Sequence, residues 1–402
     1  MTDFGDTALQ GAPTDVLATD SRLLEINDLS VDFGTEDGVV HAVRNVSFSL
    51  GRREVLGIVG ESGSGKSVSS MAIMGLLPKT AKITGSIKFL GDELVGLPFK
   101  KMRPYRGNKV SMIFQDPMTS LNPVFTVGWQ LAEAYRAHHE VSKAKAWAKA
   151  VETLALVGIP QPDRRARQFP HEFSGGMRQR AVIGMSIIND PELIIADEPT
   201  TALDVTVQAQ ILETLLEIRD ETNAAIMMIT HDLGVVAGMV DRVQVMYGGT
   251  IVESGTVYEV FEEPRMPYTV GLLGSIPNPA MLGRRLTPIK GAPPSLMNLP
   301  SGCSFSPRCP LALDECTDRE PELLEIGQSG HSTRCVRWQH LSGLDEPRKL
   351  FVSDEIGVIE NPAVLVEAMP DVVQVEDLSA AELDAVEKHL EEQREEAEEA
   401  SS

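Results

Sequence analysis

The chain has 402 residues, 42% of them hydrophobic and 23% charged, with a net charge of -22. This balance supports a buried core and excludes wholesale disorder or a fibrous architecture, and the acidic excess speaks against nucleic acid as a partner. No apolar run approaches the roughly 18 residues of a membrane span, and the first residues lack the basic-then-apolar pattern of a secretory leader, so the expected setting is the cytoplasm.

Residues 1–22 are polar, dotted with Pro and Gly, and read as a disordered lead. Leu24–Phe33, His41–Leu50 and Gly85–Leu90 alternate apolar and polar residues and predict an antiparallel sheet. Val55–Val59 is instead a continuous apolar run, the pattern of a strand buried on both faces. A glycine-rich loop follows it, then helical character over Val68–Leu77 that ends before Pro78. Further buried strands are expected at Val110–Phe114, Leu193–Ala196, Ala225–Ile229 and Arg242–Met246. Helical periodicity fills the intervals at Val127–His138, Ser142–Leu156, Gly175–Ile188, Thr206–Arg219 and Leu233–Val240. Buried strands alternating with helices give an α/β fold with a mainly parallel sheet.

Beyond Gly255 prolines accumulate, from Pro264 and Pro267 to Pro307 and Pro310, which argues against regular core structure there. All four cysteines, Cys303, Cys309, Cys316 and Cys335, lie in this region, a clustering that in a reducing compartment points to metal before disulfide. From Leu341 to Ser402 there are 18 acidic and 4 basic residues, a balance of -14 that leaves -8 for the rest of the chain. The expected organisation is a lead (1–22), a main α/β domain (23–255), a cysteine-bearing appendage (256–340) and an acidic tail (341–402).

Gly60-Glu61-Ser62-Gly63-Ser64-Gly65-Lys66-Ser67 has the form G-x-x-x-x-G-K-[ST] between a predicted strand and helix, the context that gives this motif meaning. Gly60, Ser62, Gly63 and Gly65 belong to a loop whose N–H groups turn inward around a triphosphate such as that of ATP, and the helix adds its positive end. Lys66 is placed to reach the β- and γ-phosphates and Ser67 to ligate Mg²⁺. The buried run Leu193–Ala196 ends in Asp197 and Glu198. Asp197 suits the second Mg²⁺ anchor, and Glu198, pointing to the other side of the strand end, suits activation of water. Phe173-Ser174-Gly175-Gly176-Met177-Arg178-Gln179-Arg180 opens a helix and offers a second anion site that one chain cannot easily wrap around the same phosphate.

Together these segments resemble the nucleotide-binding subunit of an ABC transporter. The phosphate loop, FSGGM at Phe173–Met177 and LIIADEP at Leu193–Pro199 stand in the family's order. Gln115 in FQDP resembles the Q-loop glutamine, Thr201-Ala202-Leu203-Asp204 the D-loop, and His231 after AIMMIT the switch histidine. The resemblance covers residues 23–255. It implies an ABC-type P-loop ATPase with an antiparallel β subdomain, a helical signature subdomain and a Pro/Cys-rich C-terminal appendage. It also implies head-to-tail pairing with a second ATPase subunit, so that Ser174 and Gly176 hold the partner's ATP. Gln115 then touches Mg²⁺ or the attacking water, His231 stabilises the transferred phosphate, and Phe33 is the adenine-stacking aromatic.

Phe173 and Met177 depart from the common LSGGQ signature but leave the phosphate-contacting serine and glycines in place. FSGGMRQR followed by a Pro-rich extension resembles the branch of peptide and nickel importer ATPases. That branch implies two permease subunits, an extracytoplasmic solute-binding protein and a place on the cytoplasmic face of the membrane. The cysteine spacing matches no short-loop zinc or ferredoxin pattern. Four thiolates can nonetheless close a zinc site or a [4Fe–4S] cluster, or remain unmetallated; some ATPases resembling this one carry an iron–sulfur cluster here, which favours that assignment. Motor residues do not separate a peptide cargo from nickel. A non-transport ABC ATPase of DNA repair or translation would show a long coiled-coil insertion or two ATPase modules, and neither is visible. A redox sensor with a vestigial nucleotide fold would have lost Lys66, Asp197, Glu198 or His231, and all four are present.

Overall fold

A computed structural model describes residues 22–115, 120–201, 204–275, 289–327, 330–344 and 347–351. The expected lead up to residue 21 and the greater part of the acidic tail lie outside the described residues. The chain forms two compact units: one takes residues up to Ile58, Gly63–Thr230 and Met239–Asp241, the other Val59–Ser62, His231–Gly238 and everything from Arg242 onward.

The strands of the first unit are β1 (Arg22–Thr35), β2 (Gly38–Gly51), β3 (Val55–Val59, all but its last residue), β4 (Ala81–Phe89), β5 (Asp92–Glu93), β6 (Val110–Ile113), β7 (Leu193–Asp197) and β8 (Ala225–Thr230). Its main helices are α1 (Lys66–Ile73), α2 (Val127–Arg136), α3 (Lys143–Leu156), α4 (Gly175–Ile187) and α5 (Val205–Thr222). The period-two segments form the expected antiparallel sheet, in the order β2-β1-β4-β5. Leu24, Ile26, Leu29 and Val31 of β1 are buried with Val43, Val46 and Leu50 of β2.

The unbroken apolar runs form a second layer, ordered β3-β8-β7-β6, in which β7 pairs in parallel with both β6 and β8. Every residue of these four strands is buried, which is why their sequences do not alternate. Helices α2, α3 and α4 pack on one another as the helical subdomain. Among the described residues of the first unit, three helices begin at a side-chain cap: Ser142 accepts from Lys145 N–H, Ser174 from Met177 N–H and Asp204 from Val207 N–H.

The second unit contains α6 (Leu233–Ala237), β9 (Arg242–Tyr247), β10 (Thr250–Thr256), α7 (Val257–Glu262), α8 (Pro267–Leu273), α9 (Glu315–Asp318), β11 (Leu324–Glu325), β12 (Ser332–Thr333) and α10 (Trp338–Ser342). The expectation that regular structure ends near Gly255 is corrected here. Thr256 and Glu259 form a capping box that starts α7, and Pro267 occupies the first turn of α8, where a missing N–H costs nothing. The strands run β11-β12-β10-β9, with Glu253 of β10 opposite Thr333 of β12, so the late chain returns to the β9–β10 hairpin. Residue 255 therefore falls inside this unit.

Tyr247, Tyr268 and Phe305 form its aromatic centre, with ring centroids 4.4, 5.3 and 5.4 Å apart. The fully buried carboxylate of Glu253 takes hydrogen bonds from Arg265 N–H and His331 Nε2, the latter at 2.9 Å. Among the described residues no helix is long and apolar enough to cross a membrane.

Asp241 fixes the start of β3. Its Oδ2 accepts from Val55 N–H at 2.8 Å, and its own N–H donates to Val55 O at 2.8 Å. Asp241→Ala leaves the N–H of fully buried Val55 without its side-chain acceptor, at a cost of about 1–3 kcal/mol. In urea unfolding the Ala variant is expected to lose stability in that range and Asp241→Asn, which keeps an acceptor oxygen, much less; equal losses would remove the hydrogen-bond explanation.

Candidate nucleotide site

The glycine-rich segment after β3 ends in Gly65, which caps α1 with φ of 102° and ψ of -2°, a left-handed conformation open to glycine at little cost. Gly63, with φ of 79°, and Ser62 are exposed, whereas Gly60 and Gly65 are buried. Lys66, the first residue of α1, is only 5% exposed, and the buried hydroxyl of Ser64 has no hydrogen-bond partner among the described residues. A helix N-terminus without an acidic residue in its first turn, a buried lysine and an unused hydroxyl suit an anion such as a nucleotide phosphate.

Ser67 Oγ donates to Asp197 Oδ1 at 3.0 Å across 130 residues. Asp197 ends β7 and is 7% exposed. Burial raises its pKa above the ordinary carboxylate value, opposed by the Ser67 hydrogen bond, reinforced by Glu198 and opposed by Lys66. A hydroxyl and one carboxylate at this distance fit Mg²⁺, which commonly takes one or two protein oxygens and completes its shell with phosphate and water.

Glu198 leaves the strand with φ of 49°, and its N–H donates to Ile229 O at 2.8 Å, which fastens it to the end of β8. Its Oε2 accepts from Gln115 Nε2 at 2.8 Å and from Thr201 Oγ1 at 3.0 Å. Gln115 reaches it because β6 runs beside β7, with Ile113 opposite Ala196. Thus Lys66, Ser67, Asp197, Glu198 and Gln115, far apart in sequence, occupy linked positions in the first unit. Thr201 belongs to this set, and its hydroxyl-to-carboxylate role was not read from the sequence; its place three residues after Glu198 was the available signal.

Ser174 caps α4 and is exposed, while Phe173 is 3% exposed and anchors the segment in the core. Open space surrounds Gly175, whereas a Cβ on Gly176 would meet Val207 Cγ1 at 2.9 Å. Gln179, buried in α4, donates to Pro199 O at 2.6 Å, joining this helix to the turn after Glu198. That contact also lay beyond the sequence reading, since a buried glutamine in an apolar helix carries no pattern of its own. In the D-loop resemblance, Ala202 and Leu203 lie outside the described residues, and Asp204 caps α5. Phe33 is half-buried in β1, opposite Val40 and Ala81. His231 follows β8 and belongs to the second unit, where Asp232 accepts from Gly234 N–H and turns the chain into α6.

All four cysteines are free thiols and line one cavity of the second unit. Burial, foremost, raises Cys303, holds Cys309 at about 11 and pushes Cys335 up to about 12. Four thiols on one cavity are a suitable donor set for a soft metal. However, among the described residues no three Cys, His, Asp or Glu side chains are arranged to hold a metal ion, so the expected iron–sulfur ligand set is not closed.

The sequence matches the family model described as ABC transporter over residues 43–201, and that described as oligopeptide/dipeptide transporter, C-terminal region, over residues 252–316. The dipeptide transport ATP-binding protein DppD of Bacillus subtilis is 52% identical over 78% of this chain and 94% of its own length. The chain belongs to the ABC transporter family, in its oligopeptide/dipeptide branch. The oligopeptide transport ATP-binding protein OppD of Mycobacterium bovis is 54% identical over 80% of this chain, and the match spans about half, 53%, of that longer protein. Among solved structures, the dimeric post-hydrolysis ATP-binding cassette MJ0796 bound to ADP and Pi aligns with a TM-score of 0.53 at 24% identity, covering 58% of this chain and 98% of that one. This likeness supports the α/β cassette fold.

The raised pKa of Asp197 has a consequence for stability. The folded state disfavours this carboxylate's charged form, so its contribution is present at low pH and is lost as pH rises through the folded pKa. Asp197→Asn is expected to raise the denaturation midpoint of nucleotide-free protein at pH 7, the gain vanishing as pH falls into the carboxylate range, while Mg²⁺-dependent nucleotide binding weakens. A destabilised Asn variant at pH 7 would contradict this.

Proposed function

We propose that the chain is the ATP-hydrolysing motor subunit of an ABC importer for oligopeptides or dipeptides. The observation that carries the reading is the paired geometry at the end of β7, with Ser67 on Asp197 and both Gln115 and Thr201 on Glu198. In this reading the loop from Gly60 through Ser62, Gly63 and Gly65 binds the phosphates, Lys66 neutralises their charge, and Ser67, Asp197 and Gln115 hold Mg²⁺. Mg²⁺ supplies charge stabilisation at the transferring phosphoryl group. Glu198 orients and deprotonates water, Gln115 keeps its carboxylate in place, and His231 donates to the phosphoryl oxygens. Phe33 stacks on the adenine.

Ser174 and Gly176 serve the ATP of a second ATPase subunit; the exposed cap and the open space at Gly175 support this reading. The other partners are two permeases and, through them, a solute-binding protein, with this chain peripheral on the cytoplasmic face of the membrane. Support for permease docking comes from exposed Phe114, which precedes Gln115, and from exposed Val124, Phe125 and Trp129 further along the chain, the last two stacked at 4.1 Å. Peptide is preferred to nickel as cargo because the matched relatives are named for peptide transport. Residues 23–255 constitute the ATPase domain and 256–340 the C-terminal region of this branch.

Glu198→Gln tests the motor reading, since it keeps shape and removes the base. In the assembled complex ATP binding is expected to persist while turnover falls by roughly 10²–10⁴-fold. Near-normal turnover would refute the assignment.

We further propose that Cys303, Cys309, Cys316 and Cys335 take up one metal group, an iron–sulfur cluster in preference to zinc; the support is the shared cavity and the all-thiol donor set. Anaerobically purified protein is expected to be brown with roughly four irons per chain. Cys309→Ser should lose the colour and become protease-sensitive between residues 290 and 340, with nucleotide binding largely retained. One tightly bound zinc in colourless protein would replace the cluster, and a metal-free, equally protease-resistant chain would remove the metal.

A further inference from the structure

Arg308 lies immediately before Cys309, in a single 3₁₀ turn (Ser306–Arg308). Its side chain is 6% exposed and grips Glu61, the second residue of the phosphate-loop motif, 247 residues away. Nη1 donates to Glu61 Oε2 at 2.7 Å and to Tyr247 Oη at 3.2 Å, and Nη2 donates to Glu61 Oε1 at 3.0 Å and to Ile289 O at 3.2 Å. Nε donates to Lys290 O at 3.1 Å, so all five guanidinium donors are engaged. The same residue of the loop is held from its backbone, because Glu61 N–H donates to Oη of fully buried Tyr268 at 2.9 Å. All these groups belong to the second unit.

The electrostatics give this clamp a purpose. A carboxylate within a loop that gathers N–H groups around a polyphosphate repels the ligand unless it is neutralised and turned aside. Arg308 does both, and its bidentate geometry fixes the direction of Glu61. Burial works against the guanidinium charge, yet the hydrogen bonds to Glu61 and Tyr247 leave its pKa above the ordinary arginine value. Its position is in turn set by the cysteine segment. Ser306 N–H donates to Cys303 O, Arg308 N–H to Phe305 O and Cys309 N–H to Ser306 O, and Cys303 N–H is tied to Cys316 O. Cys303, Phe305, Ser306, Cys309 and Cys316 line the thiol cavity, so the turn that carries Arg308 is part of its wall.

Resting on the reading of Gly60–Ser67 as a phosphate loop, we propose that Arg308 is a positioning residue for nucleotide binding, through which order in the cysteine segment and affinity for nucleotide phosphates are linked. Linkage is reciprocal: the segment tightens the loop, and a bound nucleotide orders the segment.

The test uses the full chain and a fluorescent ATP analogue with Mg²⁺. Arg308→Met is expected to weaken binding at least about fivefold, within the usual range of coupling between sites. Adding Glu61→Gln to the Arg308→Met variant should recover a large part of the loss, because the unpaired carboxylate is gone. Lys66→Ala is the control for the loop itself. Hydrogen exchange supplies a readout that a merely structural arginine would not move: Mg²⁺ and the analogue should slow exchange over residues 302–318 in the wild type and not in Arg308→Met. Arg308→Lys, which keeps charge without the fork, covers the case in which the Met variant does not fold. Loss of binding in Lys66→Ala with wild-type affinity in the Arg308 variants would overturn the coupling and leave the phosphate loop standing; undiminished binding in Lys66→Ala would overturn the loop reading. Wild-type exchange over 302–318 that ignores nucleotide overturns the coupling whatever the variants do.

Discussion

The hydrogen bond from Ser67 to Asp197 is the contact on which the nucleotide half of the molecule depends. It joins the first turn of α1 to the last residue of β7, bringing the hydroxyl and the carboxylate that suit a magnesium ion to one place. The parallel core makes that meeting possible. β6, β7 and β8 end together, and each delivers its next residues to the same edge, where loops rather than sheet hydrogen bonds decide the chemistry. Glu198 departs from that edge in a left-handed conformation, and the adjacent acids have different partners, Ser67 on Asp197 and Gln115 with Thr201 on Glu198.

In the proposed function Glu198 must be both available and still. Glu198 gains stillness from two neutral donors, Gln115 and Thr201, which arrive from opposite directions along the chain. Gln179 extends the restraint, since its bond to Pro199 O couples the helix behind the exposed Ser174 cap to the turn that follows Glu198. One buried side chain thus ties the helix that starts at Ser174 to the acidic edge.

The sequence discloses the first unit more fully than the second, for a physical reason. Buried parallel strands are unbroken apolar runs, so Val55–Val59 and Leu193–Ala196 announce themselves within a residue of their ends, and the phosphate loop needs its glycines in fixed order. Helix starts were displaced by a residue where Ser142 proved to be a cap. In the second unit proline density concealed α8, because Pro267 sits at the one helical turn that tolerates it. β12 is two residues long and gains its place by pairing with β10, an arrangement no local pattern encodes. Likewise nothing near Arg308 names Glu61 as its partner; separation by 247 residues leaves only the fold to bring them together.

The second unit has ordering contacts that do not involve the thiols. Tyr247, Tyr268 and Phe305 supply a packed aromatic centre, the buried Oε1 of Glu253 accepts from Arg265 N–H and His331, and Arg308 closes on Glu61. A small domain whose fold exists only with its metal unfolds when the ligands are removed. Here the segment carrying Cys303, Cys309 and Cys316 is instead pinned at Phe305 and Arg308 from within the same turn. Loss of the proposed metal would then loosen the segment around the thiol cavity locally while the aromatic centre stays packed, rather than unfold the whole unit. Because Arg308 is the residue of that turn with its charge spent on Glu61, such loosening acts first on the entrance of the phosphate loop.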